Sequence, residues 1–551
     1  MEESKNTVLP THEEYKKEVK EMQKTILGSL FPITKREAPR VTIAVITYFF
    51  IGLTYSFIRQ FKETVVYGIF NTASISHWLE FFSFIFLYKL IIIMSWVHNS
   101  YGVKKGTEYY LKMMIGSFLF SCVLLACNHF LTYKGWAEEI SNGNVFGLRR
   151  MGVINSFLLI LNHFPMVIFY ILVETLSSNL MSFVFTSYFN SLCSHFQLGR
   201  YLFPVYIGAN MSLFVSVYFV NYAVDIIENS STARNKYFVY CGVLLLISMV
   251  LVFVLFLIYA MDRVFKKPLY YGDERSEIPI IKKKTDEKTT FYSTLRVVMR
   301  NKYLICMCIM SAGYSFCNSL AQICGQYTFS AFSDYLMENP EKNLQPGFTP
   351  TKTNIAFSYL KYESQFVSLF VTFLMLWPLF RRLFNHFGVF LFSLIVVISC
   401  VIPYWVFFIF SIINYPFTHN EQNVLFGLKI ERDSPSFESE AQSVTIGLSL
   451  IRIAKYGLYD IIKENISARI HPQERSLHKG IFDGLANRIG KVSSSIYIVF
   501  CGFLLDNTDL RYCSPLTVII ITIMCACWLF SSVYLHKLYN KSIDNDEYIN
   551  N

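Results

Sequence analysis

Charged side chains inside long apolar segments are the residues of this chain that could do chemistry. They are Arg59, Lys62, Glu63, Glu174, Arg452, Lys455, Asp460, Lys463, Glu464, Asp483, Arg488 and Lys491. An ionisable side chain at the centre of a membrane helix costs about 2.5–3.5 kcal/mol to insert, so it normally faces a polar cavity or a charged partner. Arg suits a polyanion through bidentate contacts and Lys as a point charge. The pattern therefore predicts a cationic path for an anionic solute, in which acidic partners hold the cations while the path is empty.

The composition restricts the class of protein that must position these charges. Of 551 residues, 53% are hydrophobic and 16% are charged, and the mean hydropathy is +0.38. A soluble domain has about 25% charged residues, so this chain lacks the polar surface that water requires. The 13 cysteines and the 11 histidines have no metal-ligand spacing. These features exclude a disordered chain, a disulfide scaffold and a nucleic-acid-binding domain, and the net charge of +10 is attributed to membrane topology.

Apolar segments of about 20 residues, the length of a membrane-spanning helix, recur along the chain. They begin near Val41, Trp78, Tyr109, Met151, Tyr201, Tyr237, Tyr303, Asn354, Gly388, Ala441, Ile481 and Pro515. The sequence thus predicts an all-α polytopic membrane protein with twelve transmembrane helices in two six-helix halves. This is the layout of the major facilitator superfamily, whose halves surround a central path.

Five regions follow from this division of the chain. They are an N-terminal segment (1–40), a first half (41–262), a basic linker (263–300), a second half (301–536) and a tail (537–551). Lys and Arg concentrate in the first segment and the linker, on the same side of the membrane as both ends. By the positive-inside rule, we expect both termini to be cytoplasmic.

The two halves share a faint internal repeat. Tyr55-Ser-Phe in the first span recurs as Tyr314-Ser-Phe in the seventh, and eight residues after each tyrosine stand Glu63 and Gln322. A second match relates the fourth and tenth spans: Tyr170, Glu174 and Asn179 have the same spacing as Tyr456, Asp460 and Asn465. In facilitator folds these four helices line the cavity, which favours a functional position for their charges.

Some of these charges have a second interpretation, at the membrane interface or in a cytoplasmic gate. They are Lys62 with Glu63, Lys463 with Glu464, and Lys479 with Asp483. Long side chains near a helix end can extend to the interface. Glu174 lies in the middle of its segment and has no such alternative.

No motif of an enzyme or a cofactor site is recognisable. Gly484 and Gly490-Lys491 are reminiscent of a phosphate-binding loop, but five residues rather than four separate the glycines. Val492 also stands where that loop needs Ser or Thr for its metal ion. We therefore expect no catalysis and no cofactor.

Motifs along nearly the whole chain are those of one transporter family. They are Pro32-Ile-Thr-Lys35-Arg36-Glu37, Tyr55 to Thr64, Glu174, Arg200 to Pro204, Lys455-Tyr456 to Glu464, and Lys479-Gly480 to Lys491. On these residues the chain resembles the nucleotide transporters (ATP/ADP translocases) of plastids and of intracellular bacteria and parasites. Thr175-Leu176 departs from the Trp-Gly that usually follows the glutamate of the fourth helix.

This resemblance implies functional charges at Lys62, Glu174, Lys491 and one acidic position in the seventh helix. That last position is Gln322 here, which can neither pair with a cation nor couple transport to charge. Net nucleotide uptake or broader purine selectivity then becomes an alternative to strict exchange. Short loops and the Phe/Tyr/Lys/Asn-rich composition are most similar to microsporidian members. They imply import of host nucleotides across the parasite plasma membrane, with the mitosome or a plastid inner membrane as alternatives.

Taken together, the residues and the resemblance predict a carrier of purine nucleotides, chiefly ATP and ADP with GTP and GDP as further candidates, working by alternating access. The candidate substrate-binding residues are Lys62, Lys491, Arg59, Lys455, Tyr55 and Tyr314, with the lysines on phosphate and the tyrosines on the base. The candidate coupling and gating residues are Glu174, Glu63, Gln322, Asp460 and Asp483. We expect a monomer in the lipid bilayer, with no nucleic acid and no obligate protein partner.

Three alternatives stay open, and one of them is a non-transporting receptor or scaffold, which would bind its ligand tightly without moving it across the membrane. A proton-coupled nucleotide or organic-anion symporter needs a titrating carboxylate in the path, for which Glu63, Glu174 and Asp460 are available. An intramembrane transferase would belong to a different class of protein, and it would need catalytic residues in its loops.

Overall fold

The computed structural model describes most of the chain. The described residues are 10–22, 24, 28, 31–70, 75–131, 152–228, 233–270, 298–339, 341, 352–418, 424–470, 478–505, 509–545 and 547–549. Among them, the only β structure is an isolated bridge between Leu425 and Leu428. The prediction of an all-α membrane protein is confirmed.

The first half consists of six consecutive helices, all but one continuous. They are α1 (Ala38–Phe70), α2 (Ile75–Tyr101), α3 (Val103–Leu131), α4, α5 (His195–Glu228) and α6 (Ala233–Phe265). Helix α4 is divided into Gly152–Asn162, Phe164–Asn179, the wide π-helical turn Leu180–Val184, and Phe185–Leu192. Its first break falls just before Pro165, which cannot supply a backbone donor to continue a helix.

The second half also consists of six consecutive helices. It contains α7 (Lys302–Glu338), α8 (Lys352–Leu376), α9 (Pro378–Thr418), α10, α11 and α12. Helix α10 comprises Phe437–Ala454, a π-helical turn at Lys455–Tyr459, and Asp460–Ala468. Helix α11 comprises the π-helical turn Gly480–Ala486 and Asn487–Leu505. Helix α12 comprises Leu510–Cys513 and Ser514–Asp544. The observed starts lie close to the predicted ones except in α9, which begins at Pro378 rather than near Gly388.

Nine of the described helices are long and apolar enough to cross a membrane on length and composition alone. The three that do not qualify are α8, α10 and α11. Two of these, α10 and α11, carry most of the charges that the sequence singles out, which lowers their hydropathy. The count of twelve membrane crossings therefore stays a prediction, although the described residues contain the twelve helices α1 to α12.

The halves meet along two pairs of helices. Helix α5 packs against α8, and α2 packs against α11, so each half contributes to both contacts. One apolar core cluster extends through both halves. Large apolar side chains such as Phe256 and Phe530 remain 65% and 77% exposed on the outer surface, as expected where lipid replaces water.

A short helix, His12–Met22, docks beside the start of α1. Tyr15 and Val19 are its buried residues. The Arg200 guanidinium lies 2.6 Å from Glu37 Oε1 and donates to the Tyr15 hydroxyl at 2.8 Å. The motif before α1 and the motif that opens α5, both noted in the sequence, thus meet in one buried ion pair that anchors the N-terminal segment.

Candidate functional site

Five charged side chains, three of them buried and two half-buried, form a network named here the Glu174 cluster: Lys62, Glu80, Glu174, Arg488 and Lys491. Lys62 Nζ lies 2.9 Å from Glu174 Oε2, while Arg488 NH1 and Lys491 Nζ each lie 2.8 Å from Glu174 Oε1. Glu80 lies 3.2 Å from Arg488 and 3.4 Å from Lys491. One carboxylate thus holds three cations.

The Glu174 cluster joins the two halves. Lys62, Glu80 and Glu174 come from α1, α2 and α4, whereas Arg488 and Lys491 come from α11. Three cations and two carboxylates leave one positive charge in excess. Because charges in a low-dielectric interior interact strongly, such an excess favours an incoming anion.

Two further contacts fix the cationic side chains. Lys62 donates to the Tyr170 hydroxyl at 2.9 Å, and its ammonium lies 4.0 Å from the centre of that ring. Arg488 donates to Ser178 at 2.6 Å and to the Glu174 carbonyl at 3.2 Å. With 2% of its residue surface exposed, Lys62 lies inside the bundle, which excludes the interfacial alternative for this residue.

The local structure of α11 brings its cations to the centre. The π-helical turn at Gly480–Ala486 precedes Arg488, and such wide turns are frequent at functional sites. Two residues further on, a Cβ at Gly490 would collide with the Ala312 carbonyl oxygen of α7. Only glycine permits this approach, and it sets Lys491 beside the junction of the halves.

A first cavity, with about 530 Å³ of empty space, lies among α1, α5, α7, α8 and α10. Its polar lining includes Arg59, Gln322 and Arg452. Arg59 donates to Gln322 Oε1 at 3.2 Å, a bond between the two halves. We call this space the arginine cavity.

A second cavity, with about 690 Å³ of empty space, is rich in tyrosine. The Lys455 ammonium lies 5.2 Å from the ring centre of Tyr314 and 5.1 Å from that of Tyr456. Tyr314 stacks on Tyr459 with ring centres 5.7 Å apart. These aromatic faces and hydroxyls suit a planar, hydrogen-bonding group, and we call this space the tyrosine cavity.

One end of the tyrosine cavity is acidic. Lys463 lies 3.1 Å from Asp460 Oδ1 and 2.6 Å from Asp483 Oδ1, and Lys479 lies 2.5 Å from Glu464 Oε1. Three carboxylates thus face two lysines. All five side chains are buried inside the bundle, and their position relative to the membrane interface stays a prediction.

Tyr55 connects these regions. It lines both the arginine cavity and the tyrosine cavity, as does Tyr456. Ser178, which accepts a hydrogen bond from Arg488 of the Glu174 cluster, also lines the tyrosine cavity. The Glu174 cluster and the two cavities therefore form one continuous polar region at the centre of the molecule.

Several of the residues that the sequence singled out come together here. Lys62, Lys491 and Glu174 are in direct contact, and Arg59 contacts Gln322. The others line the tyrosine cavity: Tyr55, Tyr314, Lys455, Asp460 and Asp483. Lys455 thus does not join the Glu174 cluster, and the side chain of Glu63 lies outside the described part of the chain.

Sequence reasoning missed two carboxylates that pair with cations of this region, the half-buried Glu80 and the buried Glu363. Glu80 follows the start of α2 closely, so its charge reads as a helix boundary, and Glu363 of α8 stands two residues after Lys361 at the edge of an apolar run. The one sequence feature that could have indicated them is an acidic residue within a predicted membrane span. Hydropathy alone does not distinguish such a residue from one that lies at the membrane interface. Among the described residues, no group of His, Cys, Asp and Glu could hold a metal ion.

The fold and the site define a class of protein: a polytopic membrane protein in which two six-helix halves meet at a buried, charged region. The chain belongs to the TLC ATP/ADP transporter family, whose family model matches residues 15–332. It is therefore a nucleotide transporter and not an enzyme, and the resemblance found in the sequence is confirmed.

Curated relatives match nearly end to end. The ADP,ATP carrier protein 1 of Encephalitozoon cuniculi is 23% identical over 540 residues, covering 98% of this chain and 93% of the relative. The ADP,ATP carrier protein 1 of Paranosema grylli is 22% identical, covering 97% and 94%. The protein of the same name from Chlamydia pneumoniae is 22% identical, covering 93% of each chain.

Among solved structures, transporters are similar to this chain. A D-xylose–proton symporter gives a TM-score of 0.49 at 12% identity, covering 90% of this chain and 96% of the symporter. The fucose–proton symporter of E. coli gives a TM-score of 0.46 at 13% identity, covering 91% and 99%.

Proposed function

We propose that this carrier moves purine nucleotides, chiefly ATP and ADP with GTP and GDP as further candidates, by alternating access through the central polar region. The observation that carries this proposal is the Glu174 cluster, in which one carboxylate from the first half holds cations from both halves. The relatives named ADP,ATP carriers support the choice of substrate.

In this proposal the polyphosphate replaces Glu174 as the partner of Lys62 and Lys491. Phosphate oxygens offer several acceptors at the 2.8–2.9 Å spacing at which both ammonium groups now meet the carboxylate. Arg59 and Lys455 add positive charge from the two cavities. Glu174 is the gating residue, since it pairs with the cations only while the path is empty.

The base occupies the tyrosine cavity in this arrangement. Tyr314 already stacks on Tyr459, and Tyr55 lies where this cavity meets the arginine cavity. Aromatic faces stack on any purine, which is consistent with a carrier that accepts more than one purine nucleotide.

Proton coupling is a second candidate mechanism for the same substrates. The acidic end of the tyrosine cavity favours it, because Asp460, Asp483 and Glu464 outnumber Lys463 and Lys479 by one. A buried carboxylate without its own cation is a natural proton carrier. Nucleotide uptake driven by a pH gradient, without internal nucleotide, would select this mechanism over exchange.

The setting of this transport completes the proposal. Both termini face the cytoplasm, because the basic segments lie on their side. The carrier acts as a monomer in the plasma membrane of a parasite cell and imports host nucleotides, by exchange or by net uptake, with the mitosome or a plastid inner membrane as alternative sites.

Uptake of labelled ATP into proteoliposomes, with and without internal ADP, tests the proposal. We expect Lys62→Ala and Lys491→Ala each to lower uptake at least tenfold, roughly the worth of one charge-assisted hydrogen bond. Both variants should still insert, since Arg488 continues to pair with Glu174.

Lys104→Ala is the matched control. Lys104 also pairs with a carboxylate, Asp262 at 2.8 Å, but its side chain is 39% exposed and lines neither cavity. Its loss should leave uptake unchanged. Wild-type uptake in both Lys62→Ala and Lys491→Ala would contradict the phosphate assignment.

A further inference from the structure

A buried ion pair that the proposed function does not use lies at the arginine cavity. Arg452 of α10 lies 2.6 Å from Glu363 of α8, and the side chains are 10% and 0% exposed. Arg452 lines the cavity, as do Leu360 and Ser364, which stand three residues before and one residue after Glu363 in α8. The pair is thus built into the wall of the central path, although no sequence motif singles out Glu363.

This pair is incompletely satisfied. Among the described residues, Glu363 Oε1 has Arg452 NH1 as its partner, but Glu363 Oε2 accepts no hydrogen bond and Arg452 Nε has no acceptor. Glu440, another fully buried glutamate of this half, shows the contrast: it accepts from Asn414 at 2.8 Å and from Thr328 at 3.2 Å. A buried charge with so few partners is unfavourable unless a ligand or a rearrangement completes its shell.

The charge balance of the arginine cavity indicates the ligand. Arg59 and Arg452 supply two positive charges and Glu363 one negative charge, which leaves one positive charge in excess. Guanidinium groups with free donors bind phosphate in preference to a neutral group. Tyr55 and Tyr456 line this cavity and the tyrosine cavity alike, and Ser178 of the tyrosine cavity accepts a hydrogen bond from Arg488 of the Glu174 cluster.

We propose that Arg452 and Glu363 form a charge-selecting subsite for the terminal phosphate of the nucleotide. The inference rests on the proposed function and adds to it the residues that set the preference between triphosphate and diphosphate. Arg452 donates to the terminal phosphate. Glu363 holds Arg452 while the cavity is empty and limits the positive charge, so that the triphosphate does not displace the diphosphate outright.

The charge count makes the test quantitative, because ATP carries about one more negative charge than ADP at neutral pH. Glu363→Gln adds one positive charge to the cavity, Arg452→Gln removes one, and the double variant restores the balance. Displacement of a fluorescent ATP analogue from the detergent-solubilised full chain, by ATP and by ADP, gives the ratio of the two affinities.

We expect Glu363→Gln to shift this ratio about fivefold towards ATP, and Arg452→Gln to shift it about fivefold towards ADP. The double variant should return to within about twofold of the wild type. Glu440→Gln removes an equally buried carboxylate that lines neither cavity, and it should not change the ratio.

Arg452→Lys is a more conservative variant, included in case one of the glutamine variants does not fold. It keeps the charge and loses the fork of donors, so both nucleotides should bind more weakly at an unchanged ratio. If Glu363→Gln cannot be purified, the comparison of Arg452→Gln with Arg452→Lys still tests the subsite. The first variant should change the ratio of the two affinities and the second should not.

The outcomes separate this subsite from the proposed function. The same ratio in every variant, with normal uptake of ATP by the wild type, overturns the subsite alone. The expected order of ratios in a wild type that binds both nucleotides but transports neither supports the subsite and contradicts the proposed function. Failure of the wild type to bind ATP or ADP overturns both.

Discussion

At the scale of single residues, Glu174 is the side chain on which the site depends. Its carboxylate contacts Lys62, Arg488 and Lys491, and the last of these is 317 residues away in sequence. Removing one partner of a buried pair typically costs about 3–5 kcal/mol, because the other charge is left without compensation. Here the loss of one lysine leaves two cations in place, so function can be lost without the fold.

Gln322 is the residue at which a single charge can be added to the path. It accepts a hydrogen bond from Arg59 at 3.2 Å. In Gln322→Glu this contact becomes an ion pair between the halves. Arg59 is then held by the new carboxylate and binds the substrate phosphate less strongly. We expect the KM for ATP uptake to rise roughly tenfold, the equivalent of one charge-assisted hydrogen bond.

The neutral variant Gln322→Asn separates charge from side-chain length in the same uptake assay. An unchanged KM in Gln322→Glu would mean that Arg59 does not meet the substrate. Uptake should also depend more strongly on internal ADP in this variant, because the added ion pair holds the empty carrier in one state.

At the scale of elements, interrupted helices position the site. The π-helical turns of α4, α10 and α11 lie beside the tyrosine cavity, and the sequence alone predicts three uninterrupted spans there. A wide turn shifts the face that a helix presents, so charges that are not evenly spaced can converge on one region. The glycine at the α7–α11 contact has a similar role.

Gly490→Ala tests that contact. A Cβ there would meet the Ala312 carbonyl oxygen and would lie 2.9 Å from Ser315 Cβ, so α7 and α11 must separate. Overpacking of this kind costs about 1–3 kcal/mol, and we expect a lower melting temperature in detergent together with reduced ATP uptake.

Gly242→Ala in α6 is the control, because its added Cβ would have no atom within 4 Å. It should melt at the wild-type temperature or slightly above it, since alanine favours a helix over glycine. Equal melting temperatures for the two variants would contradict the close approach at Gly490.

At the scale of the whole molecule, polar contacts tie together parts that are distant in sequence. Arg59 with Gln322 and the Glu174 cluster cross between the halves, and Arg200 with Glu37 anchors the N-terminal segment to α5. Tyr15 of that segment stacks on Tyr270, a residue of the linker between the halves, with ring centres 5.2 Å apart. The helix His12–Met22 is therefore packed against the rest of the fold.

The Glu37 contact predicts a dependence of stability on pH. Burial by itself raises the pKa of the Glu37 carboxyl, but hydrogen bonding and the charge of Arg200 outweigh it and hold the pKa below its usual value. A carboxyl whose pKa is lower in the folded state stabilises that state at neutral pH. This contribution is lost as the pH falls below about 4.5, through the folded pKa.

We expect the melting temperature of the solubilised wild type to fall more steeply than that of Glu37→Gln between about pH 6 and pH 3. At neutral pH the wild type should be the more stable of the two. Parallel curves would show that the ion pair between Glu37 and Arg200 contributes no net stability.

The sequence by itself determined the class of the protein and the central part of its site. Apolar runs located the helices, because hydropathy is a local property and lipid demands it over about 20 residues. Lys62, Glu174 and Lys491 stood out because charges in apolar runs must find partners, and in the fold they do. The family followed from motifs along nearly the whole chain.

Only the tertiary structure decided how these charges are grouped. It separated Lys455 from Lys62 and Lys491, placed Arg59 in contact with Gln322, and revealed Glu80 and Glu363 as counter-ions. The physical reason is that an ion pair depends on distances of about 3 Å between side chains that are hundreds of residues apart. Such distances follow from helix breaks and from the contact between the halves, which hydropathy does not specify.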